Sequence, residues 1–179
     1  SIHGLEHALS CAGVQDVLPR VQVGDTVTFP RNNVEKCGNI LALDISWEGA
    51  ASKAQQAVKT IVLQLEPHQE ETEYFLDFPH LRQKNAFPPA AFILPNQQGE
   101  EFISYLSSQQ GDFDPTKTLM EQLPSCLLPC LDTLVDWNYR NLRETVLLAQ
   151  EILTAESKKA TCCGKSPSLV RLWHACILG

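Results

Sequence analysis

The sequence predicts an α+β domain, with an antiparallel β-meander of about four strands packed against a long C-terminal amphipathic helix. Three observations carry this. Apolar residues alternate with polar ones in several runs between 21 and 78, four prolines punctuate residues 79–95, and apolar residues recur at three and four spacing from 127 to 155. Strands followed by helices, with no helical pattern between the strands, is the α+β order.

Leu5, Ala8, Leu9 and Ala12 predict a short helix over residues 5–12. From Val21 the period becomes two. Val21 and Val23 lead to a Gly24–Asp25 turn, and Val27 and Phe29 follow before Pro30, which reads as a strand or hairpin. Ile40, Leu41, Leu43, Ile45 and Trp47 predict a second strand with one face buried. Residues 49–56 are small and polar and read as a link. Val58, Ile61, Val62, Leu63 and Leu65 predict a third strand closed by Pro67, and Tyr74, Phe75, Leu76 and Phe78 a fourth ending at Pro79. Pro79, Pro88, Pro89 and Pro95 bar a regular helix or central strand, because proline lacks the backbone N–H that both need. That stretch is expected to be an irregular, extended excursion that buries Phe87, Phe92, Ile93 and Leu94. Phe102, Ile103 and Leu106 predict a short helix over 100–108. The long helix over 127–155 rests on Leu127, Leu131, Leu134, Val135, Leu142, Val146, Ala149, Ile152 and Leu153, with charged residues mostly opposite. Pro124 and Pro129 place its start between them. A basic, breaker-rich linker follows Glu156, and then a short apolar helix holding Leu169, Val170, Leu172, Trp173, Cys176 and Ile177. The expected organisation is an N-terminal segment over 1–13, a main domain over 14–156, and a linker with terminal helix over 157–179.

Composition narrows the function. The chain has 179 residues, 44% of them hydrophobic and 20% charged, which suits an ordinary globular domain and excludes a rod or a disordered tail. Fourteen Lys and Arg against 21 Asp and Glu give a net charge of -7, the wrong sign for general nucleic-acid binding. Acidic residues crowd 66–77, whereas the segment after Glu156 is net basic. Seven cysteines at irregular spacing, two of them adjacent at 162 and 163, do not form a disulfide framework, so a reducing compartment, nucleus or cytoplasm, is expected. No run approaches the ~18 to 20 apolar residues of a membrane span, and no membrane association is expected. The start without Met and the apolar end at Ile177 and Leu178 read as a processed or truncated chain.

Motifs for chemistry are sparse. Cys126 and Cys130 share a helical face, and Cys162, Cys163, His174 and Cys176 could add zinc ligands, yet paired C-x-x-C knuckles are missing. Cys162 and Cys163, beside Lys158, Lys159 and Lys165, come nearest to an activated thiol, but a flexible linker does not hold the geometry such a nucleophile needs. Gly164, Lys165 and Ser166 resemble the end of a phosphate-binding loop, and residue 159, where its first glycine belongs, is lysine. No cofactor, no metal, no catalytic residue and no small-molecule substrate are therefore assigned. An apolar helix beyond a polar linker must be covered, by its own domain or by another chain. Leu169, Leu172, Trp173 and Ile177 are the candidate partner-binding residues.

Residues 73–95, EYFLDFPHLRQKNAFPPAAFILP, run from an apolar strand through Phe-Pro, a loop and Pro-Pro to a short apolar strand ending in proline. This resembles the proline-bearing segment of the RWD and ubiquitin-conjugating superfamily on Phe78, Pro79, Pro88, Pro89 and Phe92. No His-Pro-Asn motif occurs, and no cysteine lies between Cys37 and Cys126, so the resemblance is to the non-catalytic branch. It implies a non-catalytic protein-protein interaction module, a subunit or scaffold of an intracellular complex with other protein subunits as partners, as in kinetochore subunits or ubiquitin-ligase scaffolds. A cysteine-dependent or zinc-binding enzyme is the alternative expectation, and a small-molecule pocket between meander and helix a third.

Overall fold

The computed structural model describes residues 1–27, 32–65, 92–108, 111–136, 138–159 and 168–178. They divide into two compact units, Ser1–Glu66 and Pro67–Gly179, so the division falls inside the span expected to form one domain over 14–156. Both helix and small antiparallel sheets are present, an α+β composition.

The first unit runs β1 (Ile2–His3), α1 (Leu5–Ser10), β2 (Val14–Pro19), β3 (Gly38–Ala42), α2 (Trp47–Val58) and β4 (Val62–Leu63). This is the β-α-β-β-α-β order of a split βαβ unit. β1 pairs antiparallel with β4 through Ile2 with Leu63 and His3 with Val62. β2 pairs antiparallel with β3 through Val17 with Ile40, Leu18 with Asn39 and Asp16 with Leu41, with a bulge between Val14 and Asp16. α1 and α2 touch each other and both touch the β2/β3 sheet, so they cover the same face of it. Val14, Val17, Ile40 and Ala42 are half-buried towards the helices. Gly4 lets the chain enter α1: its φ is 80°, and a Cβ there would lie 1.8 Å from the Thr60 carbonyl oxygen.

Three expectations are corrected here. The four-strand meander is not shown. The described residues 21–27 contain no strand, only a turn in which Asp25 N–H donates to the Gln22 carbonyl at 3.1 Å. The second expected strand stops at Ala42, and residues read as a polar link form α2. Ser46 caps it by accepting the Gly49 N–H at 3.0 Å, and Ala50, Ala51, Ala54 and Ala57 build its inner side. Alanine is the best helix former but contributes little to an apolar pattern, so the periodicity hid the element. The third strand shrinks to β4, and the fourth, with most of the proline excursion, lies outside the described residues.

The second unit contains α3 (Asn96–Ser108), 3-10 turns at Met120–Gln122 and Ser125–Cys130, α4 (Leu142–Lys159) and α5 (Leu169–Leu178). Its core holds Phe92, Phe102, Leu106, Leu119, Leu127, Leu142, Val146, Trp173 and Ile177. Phe92 N–H donates to the Ile177 carbonyl at 3.1 Å, which ties the segment before α3 to the end of α5.

The long helix over 127–155 is also corrected: α4 begins at Leu142. Pro129 sits in the Ser125–Cys130 turn, where it cannot donate to a helical ladder. The Asp136 carboxylate then accepts the N–H groups of Asn138 and Arg140, each at 2.8 Å, and Tyr139 takes a left-handed φ of 65°. Local side-chain bonds of this kind compete with helix. Asn141 and Glu144 restart it reciprocally: Asn141 Oδ1 accepts Glu144 N–H at 2.8 Å and Glu144 Oε2 accepts Asn141 N–H at 2.7 Å, a capping box. Among the described residues no helix is long and apolar enough to cross a membrane.

Candidate functional site

A polar cluster of the first unit lies where β3 hands over to α2. The Lys53 ammonium is 2.6 Å from Asp44 Oδ2. Asp44 Oδ1 accepts the N–H groups of Ile45 at 2.6 Å and Ser46 at 3.3 Å. Lys53, followed by these two N–H donors, holds the Asp44 carboxyl below its ordinary range. Gly13 makes room for the lysine, since its φ is 82° and a Cβ would come within 2.4 Å of Lys53 Cδ and 2.8 Å of the Leu43 carbonyl oxygen. Gly13 O also accepts Leu43 N–H at 2.8 Å, which extends the β2/β3 ladder by one step. The cluster consumes both of its charges internally and fixes the course of residues 43–47.

That course leaves apolar side chains uncovered. Leu18 and Leu41 point away from the helices on the sheet's other face, Leu43 is 58% exposed, Trp47 80%, and Ile45 fully. Sequence reasoning took the alternation of Leu41, Leu43, Ile45 and Trp47 as a half-buried strand. It missed Asp44 and Lys53, although Asp44 before a capping serine was visible.

The predicted partner-binding residues sit in α5. Trp173 is 0% and Ile177 1% exposed, and Leu169 and Leu172 are half-buried, all packed with the core of the second unit. Three thiols of this unit are enclosed as well. Cys126, Cys130 and Cys176 are unbonded and buried, and burial pushes each thiol up, Cys176 to about 12, which disfavours the reactive thiolate. His174 is buried at 1% exposure. Among the described residues no group of three or more His, Cys, Asp or Glu could hold a metal ion. Cys162 and Cys163 lie outside the described residues.

Residues 1–66 match the family L-amino acid ligase C-terminal domain 2. The match covers the first compact unit. It overturns the RWD and ubiquitin-conjugating resemblance, and with it the scaffold function and kinetochore or ubiquitin-ligase analogy drawn from that resemblance. The resemblance rested on a proline pattern, and prolines mark where regular structure stops rather than which fold surrounds them. No significant match exists among the curated proteins or the solved structures.

Proposed function

We propose that residues 1–66 serve as the C-terminal domain of an L-amino acid ligase, an ATP-grasp enzyme, and that the chain takes part in ATP-dependent joining of L-amino acids. The observation that supports this is the coincidence of two boundaries: the family match ends at residue 66, and so does the compact unit. The contribution is one of shape. The described side chains offer no cluster suited to a nucleotide-bound metal, so no step through ATP or its metal is assigned to them. The Asp44, Lys53 and Gly13 arrangement instead sets the surface that the domain brings to the enzyme.

A domain exchange tests this. An L-amino acid ligase whose own domain 2 is replaced by residues 1–66 is expected to consume ATP in response to added L-amino acids, above the same ligase with domain 2 deleted. Activity no higher than the deletion would refute the proposal.

A further inference from the structure

We draw no further inference here: the strongest candidate, the buried side-chain cluster of Asp136 and Arg140 in the turn before α4, leaves Asp136 Oδ2 and Arg140 Nε without a hydrogen bond, yet the two atoms lie 3.4 Å apart as an ion pair inside the turn already described, and nothing there points to a ligand.

Discussion

Asp44 shows how much one side chain settles. Its carboxylate gathers Lys53 and two N–H groups at the end of β3, and so decides where the strand stops and α2 starts. Because its folded-state pKa is lowered, the stabilisation is present above the ordinary value of 3.8 and is lost as pH falls through the folded value. The protection of β3 and α2 amides, measured by NMR exchange relative to the intrinsic rate at each pH, is expected to fall below pH 3.8 in the wild-type chain, and Asp44→Asn is expected to flatten that acid dependence; an identical profile in the variant would count against the pair. Gly13→Ala meets both a left-handed φ and the Lys53 side chain, and should cost about 1–3 kcal/mol in denaturant unfolding of the first unit. These two residues are legible only in part from the sequence. An aspartate before a capping serine is a visible signal, but nothing in the spacing of residues 13, 44 and 53 says that they meet.

At the level of elements, polar signals proved more informative than apolar ones. The three and four spacing over 127–155 was real, yet the helix covers only its second half, because Pro129 and the Asp136 turn interrupt the ladder and the Asn141–Glu144 capping box restarts it. The pair of Asp136 and Arg140 in that turn is buried, with Nε and Oδ2 3.4 Å apart. Removing one partner strands a buried charge, so Arg140→Ala is expected to destabilise the second unit by about 3–5 kcal/mol in chemical denaturation. Residues 100–108 were expected to be helical and lie within α3, and the apolar terminal helix forms as α5. Trp173 is fully enclosed there. Trp173→Ala should cost about 3–5 kcal/mol, read from the same unfolding curves, because the cavity it leaves is only partly refilled. Alternation failed where it was most persuasive: Leu41, Leu43, Ile45 and Trp47 alternate, but the described structure leaves each of them about half exposed or more. A period of two shows that a face is apolar without showing what covers it.

For the whole molecule, the change from period-two to helical spacing pointed to mixed helix and sheet, which the structure has, but to a four-strand meander and a long helix that it does not show, and the division into units was hidden. The acidic run over 66–77 begins where the two units divide, but a run of like charges suits a solvated turn inside one domain as well as a boundary between two. The site was hidden for a related reason. A domain that contributes surface to a larger enzyme carries no catalytic motif of its own, so an empty motif search was read as a scaffold. The family matched by residues 1–66 overturns that reading, and it is what the ligase proposal rests on. The most direct measurement is product analysis of an L-amino acid ligase carrying residues 1–66 in place of its own domain 2. With ATP and a mixture of L-amino acids, mass spectrometry is expected to find products of two amino acids joined with loss of one water, at a yield above the domain-deleted enzyme and reduced by Gly13→Ala. Products at the level of the domain-deleted enzyme, from a folded exchange protein, would contradict the account.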